Sequence, residues 1–303
     1  MSDVRKSDVR KSDVRKSDVR KSDARKSVVI LKIGGSVLTD KNQASTAKPE
    51  QIRRIAAEIK AGMGSRLVLI HGAGSFGHHQ AKEFGLKTGL NEKSIRGIMP
   101  THNAVSALSG MIIDELYDNG VFAAPVHPLS SCVLRYGRIH YMCMGPIKQM
   151  LADGIVPILH GDVVTDKKKG IEVLSGDQLV VYLARALSAE RVGIGTNVDG
   201  VYTGVRTGVD SAGAGVRMGV DHAGAKDYKI IRDITPTNLG EVKKSLSGSG
   251  GVDVTGGMYG KVMELAELAE TGIPSCVFNA ERPGSVATFL KGGDVKGTLI
   301  RGE

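Results

Sequence analysis

The 303-residue sequence has no tryptophan, and aromatic residues make up only 4% of it. Proteins that hold single-stranded nucleic acid stack its bases on aromatic rings, so such a surface is poorly supplied. Cysteine is nearly as scarce: Cys132, Cys143 and Cys276 are scattered, odd in number and without metal-ligand spacing. That usage argues against a disulfide framework and for a reducing compartment. No apolar run approaches the roughly 18 residues that a membrane-spanning helix requires. The first residues also lack the apolar stretch of a secretory signal. A soluble protein of the cytoplasm is expected, with no membrane partner. Glycine, in contrast, is plentiful at 40 residues, in a chain whose 41% hydrophobic content suffices for a sizeable core.

The formal net charge of +9 suggests a polyanion partner until its distribution is considered. Residues 1–27 hold ten Lys and Arg against five Asp, which leaves a net +4 for everything after them. That segment consists of five SDVRK-type units, the last reading SDARK. A period of five matches neither the 3.6 of a helix nor the 2 of a strand, so no apolar face can form. A disordered tail at 1–27 is expected, and no nucleic-acid partner.

From residue 28 the pattern is regular. Apolar runs bounded by Gly or Pro occur at Val28–Ile33, Arg66–Ile70, Ile155–Leu159, Arg191–Ile194, Ser275–Phe278 and Thr298–Ile300. Helical spacing lies between them at 49–61, 101–117, 176–187 and 260–271. Strands alternating with helices predict an α/β fold over 28–303, a three-layer α/β/α sandwich around a central, mostly parallel sheet. Such sheets bind ligands at the carboxyl ends of their strands. Residues 204–214 and 215–225 are an 11-residue duplication, rich in glycine and poor in large apolar residues. It reads as a loop insertion, and His222 within it is an isolated histidine.

Five motifs carry chemistry. Lys32-Ile33-Gly34-Gly35-Ser36 ends the first strand; glycines there let amide N–H groups cradle phosphate oxygens, and the lysine adds a point charge. His71-Gly72-Ala73-Gly74-Ser75-Phe76-Gly77-His78 follows the second strand. Gly72, Gly74 and Gly77 match GxGxxG, with Glu92 20 residues beyond Gly72, so an NAD(P)-dependent oxidoreductase is a rival reading. Against it, the dinucleotide fingerprint marks a first βα unit, and here a complete unit with its own glycine loop precedes it. His160-Gly161-Asp162 comes third and Gly195-Thr196-Asn197-Val198-Asp199-Gly200-Val201-Tyr202 fourth. Thr255-Gly256-Gly257-Met258-Tyr259-Gly260-Lys261 is the fifth, opening a helix whose N-terminus attracts anions. It is not a Walker A loop: Thr255 stands where that pattern has Gly, and Val262 where it has Ser or Thr.

In this order the motifs resemble the amino acid kinase superfamily across nearly all of 28–303, and HGxGSFGH with DVTGGMYGK resembles the isopentenyl phosphate kinases within it. Ala73, where that family's pattern has glycine, is a mild departure. The resemblance implies ATP-dependent phosphorylation of isopentenyl phosphate to isopentenyl diphosphate, with Mg²⁺ accompanying ATP; no residue is assigned as its ligand, and direct contact with a protein carboxylate stays open. A same-fold kinase for a phosphonate such as fosfomycin, a carboxylate or a nucleoside monophosphate is the nearer alternative. It further implies an acceptor half at 28–160, a nucleotide half at 161–303, and a homodimer. Lys32, Lys41 and Lys261 would hold the transferring group, with Lys41 stabilising the transition state and Asp162 orienting the lysines. Gly34, Gly35 and Ser36 would wrap the ATP phosphates, with Gly74, Thr196, Asp199 and Gly257 also on the nucleotide. Ala73, Gly74, His78 and Gly161 would face the acceptor phosphate, His78 as a hydrogen-bond donor. Leu108, Met111 and Ile112 are candidates for the wall of an isoprenoid slot.

Overall fold

The structure, a computed structural model, describes residues 27–203, 229–247 and 257–303. The tail, the duplication with His222, and Thr255-Gly256 lie outside the described residues. The strands are β1 (Val28–Ile33), β2 (Arg66–His71), β3 (Ala123–Pro125), β4 (Cys132–Arg135), β5 (Arg138–Met142), β6 (Val156–His160), β7 (Asp162–Asp166), β8 (Gly170–Leu174), β9 (Arg191–Thr196), β10 (Asp233–Ile234), β11 (Ser275–Asn279) and β12 (Gly297–Ile300). The helices are α1 (Gly35–Leu38), α2 (Pro49–Gly62), α3 (Gly74–Glu83), α4 (Glu92–Asp118), α5 (Pro128–Ser131), α6 (Gly145–Ala152), α7 (Gly176–Ala186), α8 (Leu239–Ser247), α9 (Met258–Ala269) and α10 (Ser285–Leu290).

Among the described residues, eight strands form one sheet in the order β10-β12-β11-β9-β1-β2-β6-β3. Only β11 and β12 pair antiparallel; the other neighbours run parallel. Alternation along β1 divides the core between the two faces. Val29, Leu31 and Ile33 pack with α2, α4 and α10 through Ile55, Ile59, Leu108, Leu116 and Phe289. Val28 and Ile30 join the opposite layer with Leu151 of α6, Leu179 and Leu183 of α7, and Leu265 of α9. Helices therefore cover both faces, as the alternating pattern predicted. By the same parity Lys32 points into the second layer, where an ammonium needs a partner.

A second sheet, β5-β4-β7-β8, was not foreseen. It follows directly from β6 through Gly161 and is closed by the antiparallel β7–β8 hairpin. Val163 and Ile171 of that hairpin bury against Leu86, with Phe84 and Ile98 beside them, so this sheet buttresses α3 and α4.

Helix α4 starts nine residues before the predicted 101–117 pattern. Asn91 caps it by accepting from the Lys93 and Ser94 amides, and Ser94 returns the contact to the Asn91 amide in a capping box. Leu108 and Ile112, expected along a substrate slot, are buried in the core between α4 and the sheet, while Met111 is exposed. Those two residues hold the fold together and do not wall a cleft.

Candidate active site

The site grows from the carboxyl ends of four adjacent strands. Past each strand end, an amide N–H continues the ladder into the neighbouring strand. Gly34 donates to Gly195 O at 2.8 Å, Gly72 to Ile33 O at 2.9 Å, and Gly161 to His71 O at 3.4 Å. The glycine loops after β1, β2 and β6 are thereby aligned along one edge. The first two touch: a Cβ on Gly35 would stand 2.3 Å from the Gly74 amide nitrogen, a distance no side chain tolerates. Gly74 itself has φ +53, in the left-handed region that glycine enters freely. Thr39, fully buried, staples the two loops by donating to Gly35 O at 2.8 Å and accepting from the Ser75 amide at 3.0 Å.

Lys32 is only 6% exposed. Its ammonium lies 2.6 Å from Asp177 Oδ1, and Lys261 donates to both oxygens of the same carboxylate at 2.9 Å. Asp177 stands in the first turn of α7, where the helix dipole favours an anion and Ser175 caps the amides by accepting from Gln178 at 3.1 Å. Lys261 stands in the first turn of α9, one turn after Gly257, which caps that helix without a side chain. Burial lowers the Lys32 pKa to about 8, with the attraction of Asp177 opposing the shift and the repulsion of Lys261 adding to it. Burial also pushes the Asp177 carboxyl up, but the two ammonium groups outweigh it and hold the pKa well below the usual carboxylate range. One anion between two cations leaves a net positive charge at the strand ends.

On the other side of the Gly35–Gly74 contact, His78 stands on the exposed side of α3. The walls around it desolvate the imidazole and push its pKa below the usual value, and Lys87, Lys41 and Lys32 add repulsion in that order. Lys41, in the loop after α1, is exposed. The site thus carries five cationic or proton-donating groups, Lys32, Lys261, His78, Lys41 and Lys87, around two glycine loops. That is an arrangement for neutralising and aligning phosphate groups.

Several predicted site residues are tied up internally. Thr196 Oγ1 donates to Val198 O at 2.8 Å, and Ser36 Oγ donates to Asn197 Oδ1 at 3.1 Å across β1 and β9. Asp199 accepts from Asn279 at 3.0 Å and from Arg282 Nε at 2.8 Å, with Lys296 3.8 Å away. Asp162 differs from expectation outright. Its carboxylate is sealed from solvent and accepts from His102 Nδ1 at 2.9 Å and the Leu129 amide at 3.3 Å; the lysines meet Asp177 instead. The reason is topological: Asp162 begins β7 and faces the second sheet and α4, whereas α7 lies over the face that holds Lys32.

Asp177 escaped the sequence reading because an aspartate at a helix start looks like an ordinary capping-region acid. The parity of Lys32 with Val28 and Ile30 was the available signal. The remaining polar feature is a set of histidines beneath the β2 and β6 ends. Burial, with repulsion between the two rings added for His160, holds His71 and His160 near about 4, so both are neutral at physiological pH.

Comparisons with known proteins bear on the fold and the family. The sequence profile described as the amino acid kinase family matches residues 27–279. The isopentenyl phosphate kinase of Methanothermobacter thermautotrophicus is 37% identical over 91% of this chain and 100% of that protein. The enzyme of the same name from Haloferax volcanii is also 37% identical, over 91% and 100%. A solved isopentenyl phosphate kinase structure superposes with a TM-score of 0.73 at 34% identity, covering 90% of this chain and 99% of that one.

Proposed function

This chain belongs to the amino acid kinase family and, within it, to the isopentenyl phosphate kinases, and from that premise we propose that it transfers the γ-phosphoryl group of ATP to isopentenyl phosphate, releasing isopentenyl diphosphate and ADP. The observation that carries the reading is the pair of ammonium groups on Asp177, set beside the glycine loops at the strand ends, with Lys32 within electrostatic reach of His78.

Phosphoryl transfer asks for positioning and charge neutralisation more than for covalent chemistry. An alkyl phosphate has its second pKa near ~6 and attacks as a dianion at neutral pH, so no general base is needed. Lys32 and Lys261 would neutralise the phosphates of ATP, and the amides of Gly34, Gly35 and Ser36 would wrap them. Gly257, at the head of α9, presents that helix's N-terminus to the same phosphates. Thr196 and Asp199 would act by shaping the β9 loop, since their side chains are engaged within it. His78, neutral when free, would donate an N–H to the acceptor phosphate, flanked by the backbone of Ala73, Gly74 and Gly161. Lys41 would balance the charge that develops on the transferring group. Asp177 and Asp199 are both engaged by cations, so neither fits as a metal ligand. Mg²⁺ therefore fits here as a companion of the ATP phosphates, where it shields their charge.

In this scheme residues 28–160 supply most of the acceptor side and 161–303 most of the nucleotide side, with Lys32, Gly34, Gly35 and Ser36 reaching the ATP phosphates from the first half and Gly161 the acceptor from the second. A homodimer in the cytoplasm completes the reading; light scattering on the purified chain tests the dimer.

The activity test is ADP release with Mg-ATP against isopentenyl phosphate, fosfomycin, acetylglutamate, carbamate and UMP, with an NAD(P)H-binding control. Turnover on isopentenyl phosphate far above the other acceptors is expected. Preference for any other acceptor, or ADP release independent of acceptor, contradicts the assignment. Lys41→Met is expected to cut kcat by about 10²–10³-fold, the cost of removing a preorganised transition-state contact, while ATP affinity holds.

A further inference from the structure

Histidine is rare in this chain, eight residues in all, yet four of them gather under the β2 and β6 ends. His71 and His160 face each other across the β2–β6 ladder with ring centroids 5.4 Å apart. His102 of α4 and His127, just before α5, complete the group, with centroids 5.0 Å apart. The phosphoryl-transfer reading uses none of their side chains.

Three of them have the chemistry of a metal centre. His102, His127 and His160 each offer a ring nitrogen, and these atoms all lie within 4.8 Å of one another. His127 Nδ1 and His160 Nε2 stand 3.3 Å apart. Two imidazole nitrogens on one tetrahedral zinc, each about 2.0–2.1 Å from the ion, are separated by about 3.3 Å. One nitrogen of each of two rings is already fixed. His160 Nδ1 lies 3.0 Å from the Gly161 carbonyl, which can only accept, so Nδ1 holds the proton and Nε2 presents its lone pair to the cluster. His102 Nδ1 donates to the Asp162 carboxylate at 2.9 Å, which leaves Nε2, now 3.3 Å from the Ser106 hydroxyl, as the nitrogen with a lone pair to offer. A carbonyl or carboxylate behind a histidine is the outer support that metal-ligating imidazoles have. Access fits as well: His160 is sealed, while His102 and His127 are half-buried and leave an open side.

We propose that His102, His127 and His160, with Asp162 beside them, form a site for a borderline transition-metal dication of the Zn²⁺, Co²⁺ or Ni²⁺ class. Imidazoles favour these ions over Mg²⁺, so this site is separate from the metal that travels with ATP. Binding requires the proton between His127 Nδ1 and His160 Nε2 to leave, to solvent or to His127 Nε2. The inference does not depend on which acceptor the enzyme uses.

The test uses the full chain, stripped with chelator and titrated with Co²⁺ by visible absorption and with Zn²⁺ by calorimetry. One ion per chain is expected, with the visible bands of low-symmetry Co²⁺. His127→Ala and His102→Ala should each weaken binding more than tenfold, with thermal melts confirming that the variants fold. Asp162→Asn should weaken it about 10–100-fold, the usual effect of removing an outer support. His79→Ala, on the exposed side of α3 where it faces Glu83, should change nothing. No stoichiometric binding in the wild-type chain, or equal binding in His127→Ala, overturns the site and leaves the cluster as a hydrogen-bonded network alone.

Discussion

The two walls of the site are built on opposite principles. On the Lys32 side, two ammonium groups share one carboxylate, and Lys32 is almost sealed from water. On the His78 side, His78, Lys41 and Lys87 are exposed, and none has a carboxylate partner among the described residues. The difference has a physical logic. A wall with internal pairs is rigid before substrate arrives, because moving either lysine would strand a buried charge. Cations without a partner give rigidity up and keep their full attraction for an incoming dianion. On the proposed division of roles, preorganisation belongs to the nucleotide side, and the capacity to admit and discriminate an acceptor belongs to the other.

The strongest way to break that contrast is Asp177→Asn. Two ammonium groups would then face each other without an anion, and leaving buried charge uncompensated costs about 3–5 kcal/mol. Turnover should fall at least a hundredfold, with a lower melting temperature. Near wild-type kinetics would show that the lysines do not need their partner. A smaller effect comes from pH. Lys32, with its pKa lowered to about 8, loses its charge as pH rises through that value, so kcat/KM for ATP should fall about tenfold per unit above it. The folded chain binds this proton less tightly than the unfolded one, so between about 8 and 10.5 this group adds stability as pH rises. Activity and stability therefore move in opposite directions there. Lys32→Arg, permanently charged, should flatten the alkaline limb at reduced overall activity. An unchanged limb in that variant would assign it to another group. The smallest expected effect belongs to Thr39→Val, which removes the staple between the two glycine loops. A loss of about 1–2 kcal/mol in stability is expected from chemical denaturation, because the Ser75 amide is left without its acceptor. No change would mean that the loops are held by the strand ladder alone.

Much of this architecture is legible in the sequence, for reasons that also mark where legibility stops. The long buried strands and the helices at 49–62, 176–186 and 258–269 announce themselves because their apolar periods are unmixed. β3 and β10 are three and two residues long, too short to carry a period. The second sheet is hidden because β5 reads Arg-Ile-His-Tyr-Met, half-exposed and without clean alternation. The start of α4 is obscured by Pro100, which reads as a boundary but sits inside the helix. At the site, the glycine loops and Lys32 are local signals, legible because they directly follow or end apolar runs. Asp177 and the histidine cluster are products of the crossing of distant elements. Asp162 was misassigned for the same reason, since a carboxylate beside a glycine turn says nothing about which face of the sheet it will serve.

The two-wall account is tested most directly by measuring each substrate separately on His78→Ala and Lys32→Met, with melts as controls. Removing the His78 donor should cost about 1.5–3 kcal/mol, roughly ten- to a hundredfold in kcat/KM for isopentenyl phosphate, with ATP dissociation unchanged and part of the loss recovered by His78→Gln or His78→Asn. Lys32→Met should show the reverse pattern, weakening ATP while the acceptor KM holds. If His78→Ala instead weakens both substrates equally, or loses activity only in step with its melting temperature, the division of the site into a nucleotide wall and an acceptor wall is wrong.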